Sequence, residues 1–161
     1  MDEQALEVIE KVHKLFKRKG LTLSVAESCT GGLISHYITT LPGASIFFRA
    51  GVVPYSGEAK KKILGVSSAI ISEHGVVSEE SAKEMAGKMR SLAETDFALS
   101  ATGNLGPEVL EGKEKGLVYI AVSRKGLTVS KKLRLKGTRA ENNKTASLLA
   151  LRFLIEMAGD S

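Results

Sequence analysis

Ala26-Glu27-Ser28-Cys29-Thr30-Gly31-Gly32 is the stretch whose reading decides the fold. Before it, Leu21-Thr22-Leu23-Ser24-Val25 places apolar residues at alternate positions, the period of a strand. After it, Leu33-Ile34-Ser35-His36-Tyr37-Ile38 is apolar enough for a helix. The seven residues therefore sit where a strand over 21–26 hands over to a helix over 31–40. Such a junction presents unpaired backbone N–H groups at the helix start, which favours anions and developing negative charge. A serine there can be a nucleophile with an oxyanion site beside it. The same residues also suit a plainer use, a Ser or Thr N-cap with glycines easing the turn. These seven residues leave both uses open.

Working outward, residues 3–19 predict a helix with Ala5, Val8, Ile9, Val12, Leu15 and Phe16 on one face. Lysines gather in its last turn and Gly20 stops it. Downstream, Leu41-Pro42-Gly43-Ala44 breaks the second helix. Residues 46–53 read as a buried strand, ended by Pro54-Tyr55-Ser56. Short helices are expected over 57–64 and 67–73. Ser78 then caps a helix running to Ala93, with Ala82, Met85, Ala86, Met89 and Leu92 as its apolar stripe. A strand over 97–101 leads into a polar loop, 102–115. Strands over 116–124 and 127–135 form a hairpin through Lys125-Gly126. Thr138 and Glu141 make a capping box for a last helix reaching Met157, which buries Ala146, Leu149, Ala150, Phe153 and Leu154. The order α-β-α-β-α-α-α-β-β-β-α predicts an α/β fold, a single three-layer α/β/α sandwich over residues 1–161. The sheet is mixed, because the hairpin is antiparallel.

Bulk properties narrow the function classes. The 161 residues suit one domain, and 43% hydrophobic with 25% charged residues argues against disorder. A net charge of +5 suits an anionic ligand. The basic pieces Lys60-Lys61-Lys62 and Lys131-Lys132 are short, with few aromatics near them for base stacking, so no nucleic-acid partner is expected. Cys29 is the only cysteine, which rules out an intramolecular disulfide. No apolar run reaches the roughly 18–20 residues of a membrane span, and no membrane partner is expected. The N-terminus lacks a basic segment followed by an apolar one. The expected setting is reduced and cytoplasmic. His13, His36 and His74 are scattered, and no metal-ligand spacing occurs, so neither a metal nor another cofactor is expected.

Three loops follow strands: 27–32, 54–58 and 102–115. If those strands are parallel, the loops meet at one sheet edge, where open α/β sheets bind ligands. A serine hydroxyl needs a base, and no histidine lies near these loops. Lys60 is the available candidate, since a desolvated and cationic setting lowers a lysine pKa, and Tyr55 stands between to relay the proton. A solvated lysine face with an edge tyrosine is the alternative for the same residues. Thr102-Gly103-x-x-Gly106-Pro107 can offer backbone N–H groups to a phosphate, although it is neither a P-loop nor a dinucleotide fingerprint. Arg139, at the start of the last helix, can pair with phosphate bidentately or sit on the surface.

Several blocks together resemble a known family, in the right order and over nearly the whole chain. They are Ala26–Gly32, Pro42-Gly43-Ala44-Ser45, Gly51-Val52-Val53-Pro54-Tyr55-Ser56-Gly57-Glu58-Ala59-Lys60, Leu64-Gly65-Val66, Gly75-Val76-Val77-Ser78-Glu79-Glu80 and Thr102-Gly103-x-x-Gly106-Pro107. They resemble the CinA C-terminal domain of competence/damage-inducible proteins, whose enzymatic members are nicotinamide-nucleotide amidohydrolases. The resemblance implies hydrolysis of the carboxamide of nicotinamide mononucleotide to nicotinic acid mononucleotide and ammonia, without a metal. It implies Ser28 as nucleophile, Lys60 as base with Tyr55 relaying, and backbone N–H groups at the start of helix 31–40 holding the oxyanion. Thr30, Gly31, Gly32, Ser56, Gly57, Thr102, Gly103 and Arg139 become candidates for substrate binding, and Cys29 is read as packing. The implied partner is a small nucleotide substrate. An apolar hairpin or edge strand could also pair two copies as a homodimer.

The chain departs from the family pattern in three places. Gly57 stands where Tyr-Ser-Asn is usual. The third block, usually Thr-Gly-Ile-Ala-Gly-Pro followed by glycines, continues here as Glu108-Val109-Leu110 and then Lys113-Glu114-Lys115-Gly116. Asn142, Asn143 and Lys144 follow Arg139 where an arginine is common. The N-terminal partner domain of many members is absent from this sequence, so a stand-alone version is expected. The second functional expectation is a non-catalytic nucleotide-binding or regulatory domain that kept the fold.

Overall fold

The computed structural model describes residues 1–159. Helix α1 spans Glu3–Lys19, with Asp2 accepting the Ala5 N–H at its start and Gly20 turning left-handed at its end. Strand β1, Leu23–Glu27, leads through residues 28–32 into α2, Leu33–Thr40. Strand β2 is Phe48–Val52. A single helical turn, α3 at Gly57–Ala59, passes into a π-helical turn at Lys60–Leu64. Then come α4 at Ser68–His74, α5 at Glu79–Ala93, β3 at Phe97–Gly103, the hairpin of β4 (Leu117–Arg124) and β5 (Leu127–Arg134), and α6 at Arg139–Gly159.

The sheet order is β2-β1-β3-β4-β5. Strand β1 runs parallel to both β2 and β3, while β4 runs antiparallel to both β3 and β5. The sheet is mixed, with helices on both sides, as the element order predicts. The parallel β2-β1-β3 trio sends the loops after residues 27, 52 and 103 to one edge.

The two faces of the sheet are packed differently. Leu23 and Val25 of β1, Phe97, Leu99 and Ala101 of β3, and Val118, Ile120 and Val122 of β4 meet α1, α2 and α6 in the main core. Phe16 at its centre contacts the rings of Phe47 and Phe97 at centroid distances of 5.6 and 5.7 Å. On the other face Ala26, Ala98, Ser100 and Ala121 are small, so α5 lies close, with Ala82, Met85, Ala86 and Met89 buried. Ser100 donates its hydroxyl to the Ala82 carbonyl at 2.6 Å, and Ser24 shares a hydrogen with Thr95 at 2.7 Å. Polar residues inside this layer are thus paired rather than stranded.

Four sequence expectations shift. The strand expected over 46–53 is a short edge strand with alternating half-buried residues, and Ile46 is exposed in a 3₁₀ turn. Apolar composition does not reveal that β2 has a neighbour on one side only. Leu92 is exposed, because α5 has already turned past the sheet at its last turn. On α6, Leu148 and Leu151 are buried and Leu149 is only half-buried. Residues 57–64 do not form one regular helix, because the ladder widens to π geometry at Lys60.

Candidate active site

The end of β1 carries Glu27, whose side chain turns back into the protein. Its carboxylate accepts the Thr30 hydroxyl at 2.7 Å, the Ile34 N–H at 2.8 Å, and the Ser35 N–H and hydroxyl at 2.9 and 2.7 Å. The negative charge at the N-terminus of α2 is therefore internal. This corrects the expectation that the start of this helix is an open anion site. Ile34 and Ser35 already spend their N–H groups on Glu27, and the Thr30 hydroxyl points inward at 1% exposure. Gly31 and Gly32 have φ of 62° and 109°, left-handed values that let the chain double back between strand and helix.

That tight turn leaves Ser28 at the sheet edge, its N–H tied to the Ala101 carbonyl of β3 at 2.9 Å. Lys60 reaches it from the π turn. The Lys60 Nζ lies 2.7 Å from Ser28 Oγ, 3.1 Å from the Pro54 carbonyl and 3.0 Å from the Tyr55 carbonyl, and the residue is 1% exposed. A π turn rotates the following residues relative to a regular helix and is frequent at functional sites. Burial lowers the Lys60 pKa from 10.5 to about 8. Its opposing influences are the Cys29 thiolate and Glu111. Burial pushes the Cys29 thiol up to about 12, so near neutral pH the thiol is uncharged and does not hold a proton on Lys60.

The hydrogen-bond pattern fits both protonation states of Lys60. As an ammonium it has three donors, for Ser28 Oγ and two carbonyls, while the Ser28 hydroxyl donates to the Tyr55 carbonyl at 3.2 Å. As a neutral amine it keeps two donors for the carbonyls and turns its lone pair toward the serine hydroxyl. A proton can therefore move between Ser28 and Lys60 without stranding a polar group.

Tyr55 is not interposed between them. Its phenol is exposed and accepts the Arg139 guanidinium at 3.0 Å; what it gives the Ser28–Lys60 pair is its main-chain carbonyl. Arg139 also donates to the Gly106 carbonyl at 2.8 Å. Tyr55, Gly103 and Arg139 line a cleft of about 330 Å³ together with Cys29, Asn104 and Glu108. The other expected binding residues do not face it. Thr102 donates its hydroxyl to the Val76 carbonyl at 2.8 Å, and Ser56 caps α3 by accepting the Ala59 N–H at 3.0 Å. Gly57 occupies the first turn of α3 beside Val76.

Side chains of the loop after β3 and of the start of α6 brace the chain around the cleft. The Asn104 side chain accepts from the Leu110 N–H and donates to the Leu110 and Lys113 carbonyls. Glu111 accepts the N–H groups of Val76 and Val77, while Lys113 donates to the His74 and Val77 carbonyls. Burial opposes ionisation of Glu111, yet those two N–H groups and Lys113 bring its pKa below the usual carboxylate value. Asn142 donates to the Leu105 and Gly137 carbonyls, and Asn143 to the Thr30 carbonyl. Glu27, Asn104 and Glu111 escape a reading of the sequence. The one signal they carry is an acid or amide beside a glycine-rich turn. Among the described residues, no three His, Cys, Asp or Glu side chains come together to hold a metal ion, and no helix is long and apolar enough to cross a membrane.

Known proteins share this fold and much of this sequence. A relative from Caldanaerobacter subterraneus subsp. tengcongensis, named for the competence-damage inducible proteins, is 47% identical over 150 residues, covering 92% of this chain and 36% of its own length. A CinA-like protein from Kosmotoga olearia is 44% identical over 153 residues, covering 94% of this chain and 37% of its own. The chain thus spans little more than a third of these curated relatives. Among solved structures, a CinA superfamily protein from Klebsiella pneumoniae superposes with a TM-score of 0.94 at 30% identity, covering 98% of this chain and 99% of that one. The competence/damage inducible protein from Agrobacterium tumefaciens gives a TM-score of 0.93 at 31% identity, covering 97% and 96%. The sequence model of the CinA C-terminal domain matches residues 5–158, and with that coverage and the shared fold the chain belongs to the CinA C-terminal domain family.

Proposed function

We propose that this chain is a serine amidohydrolase that converts the carboxamide of nicotinamide mononucleotide to the carboxylate of nicotinic acid mononucleotide, releasing ammonia in the cytoplasm. The observation that carries this reading is the 2.7 Å contact between Ser28 Oγ and the Nζ of a buried Lys60. A lysine with a pKa near 8 has a substantial neutral fraction at physiological pH, which is what a general base requires.

In the proposed reaction, neutral Lys60 takes the Ser28 proton as Oγ bonds to the amide carbon. The N–H groups of Cys29 and Thr30, which bond to no other described residue, are the donors nearest in sequence for the oxyanion. The Lys60 ammonium then returns its proton to the nitrogen as the C–N bond breaks, and ammonia leaves. Water adds to the resulting ester, giving a proton to Lys60. The collapse of that intermediate restores the Ser28 hydroxyl and releases the acid. Arg139 serves the phosphate end, since its guanidinium has only neutral partners among the described residues.

The test is ammonia release from nicotinamide mononucleotide, with product mass confirmed. Ser28→Ala and Lys60→Met each lower it about a thousandfold or more. Product formed equally by Ser28→Ala overturns the mechanism. Saturable binding with no ammonia from the unmodified protein overturns the enzyme and leaves a nucleotide-binding domain.

A further inference from the structure

The loop after β3 carries three glutamates, and they are used differently. Glu111 is spent on the Val76 and Val77 N–H groups and Lys113, and Glu114 pairs with Arg134 at 2.7 Å. Glu108 has no hydrogen-bond or ion-pair partner among the described residues, and it is the one that lines the cleft. The Arg139 side chain, also in the cleft, bonds only the Gly106 carbonyl and the Tyr55 hydroxyl among the described residues. The two opposite charges share one cavity, yet they do not come within the 4.0 Å of an ion pair. Glu108 is exposed, and neither charge is neutralised by the other. Leu105, Val109 and Leu110 supply apolar surface in the same cleft.

We infer that Glu108 is a specificity-determining residue for a substrate bearing both charges: a carboxamide on a cationic, N-substituted pyridinium ring, with an anionic group at its far end. The inference rests on the amidohydrolase reading for the position of the amide at Ser28. The flat ring lies against the apolar residues, its positive charge faces Glu108, and its anion faces Arg139. Such a cleft discriminates by ring charge and not by shape alone, because a cationic ring is attracted to the exposed Glu108 carboxylate and a neutral ring of the same size is not.

Nicotinamide mononucleotide and its 1,4-dihydro form separate these effects, since they share size, amide and phosphate and differ in ring charge. Their dissociation constants are measured by calorimetry on Ser28→Ala and on Ser28→Ala with Glu108→Gln, so that turnover does not interfere. The expected result is a loss of about fivefold for the cationic form on Glu108→Gln and less than twofold for the dihydro form, the larger loss fading at high salt. An equal change for both ligands, no change for either, or no binding of either at millimolar concentration overturns the inference. Ammonia release by the unmodified protein is followed in parallel. Charge discrimination without ammonia keeps the assignment of Glu108 and removes the amidohydrolase. Ammonia without charge discrimination does the reverse.

Discussion

Glu27 holds Ser35 twice, accepting its backbone N–H at 2.9 Å and its hydroxyl at 2.7 Å on one carboxylate oxygen. The other oxygen takes the Ile34 N–H and the Thr30 hydroxyl. The Ser28 turn is thereby closed against the helix that follows it, and a buried charge is offset by four donors and the helix dipole. Glu27→Gln preserves size but replaces one acceptor oxygen with a donor that faces other donors. It is expected to cost about 2–4 kcal/mol in urea unfolding, with ammonia release falling as the turn loosens. A loss under about 0.5 kcal/mol would show that the turn holds itself.

Lys60 makes stability depend on pH in a defined direction. Its folded pKa, about 8, lies below the ordinary 10.5, so between these values the unfolded chain binds more protons than the folded one. Stability relative to Lys60→Met therefore rises as pH increases from about 8 to 10.5, and the gain is lost again as pH falls through about 8. The full difference is about 3 kcal/mol, read from urea midpoints of both proteins across the range. The same titration governs the reaction: kcat/KM climbs toward pH 8 and levels off above it. A flat profile would remove Lys60 as the base.

Two glycines separate tolerance from necessity. Gly116 has φ of 85°, and a Cβ there would lie 1.8 Å from the Leu135 carbonyl oxygen, where backbone meets backbone at the mouth of the hairpin. Gly116→Ala is expected to cost about 3 kcal/mol or more. Gly57 adopts no left-handed conformation, and a Cβ there meets only Val76 Cγ1, at 3.6 Å. Gly57→Ala is expected to leave stability unchanged or raise it by up to about 1 kcal/mol. Thermal unfolding of the two variants distinguishes the cases, and equal losses would contradict the geometry.

The order of elements was legible because the apolar periods of α1, β3, α5 and the hairpin are long and uninterrupted. Strand β2 was legible as a strand but not as an edge, since its residues do not reveal how many neighbours it has. The meeting of the three loops followed from the parallel trio. Within the site, the meeting of Ser28 and Lys60 was legible by chemical type: no histidine lies near those loops, and Lys60 lies just beyond the middle one. Glu27 was not, because its partners Ile34 and Ser35 lie beyond a turn whose left-handed glycines determine where the helix begins. Nor was the part played by residue 55, where a main-chain carbonyl contacts the serine–lysine pair and the side chain points elsewhere.

That division within Tyr55 yields a prediction about the proton path. A phenol relaying between Lys60 and Ser28 would make Tyr55→Phe lose about a hundredfold or more in kcat. Here Lys60 touches Ser28 directly at 2.7 Å, and the phenol instead accepts the Arg139 guanidinium at 3.0 Å. Tyr55→Phe keeps the carbonyl that both Ser28 and Lys60 use. The expected outcome is kcat within about threefold of the unmodified protein and KM for nicotinamide mononucleotide raised several-fold, because Arg139 loses one of its two anchors. For the riboside, which lacks the phosphate, KM is expected to stay within about twofold. A hundredfold fall in kcat with KM unchanged would return the relay to Tyr55, and with it a substrate-bound arrangement in which the phenol leaves Arg139 and enters the serine–lysine pair.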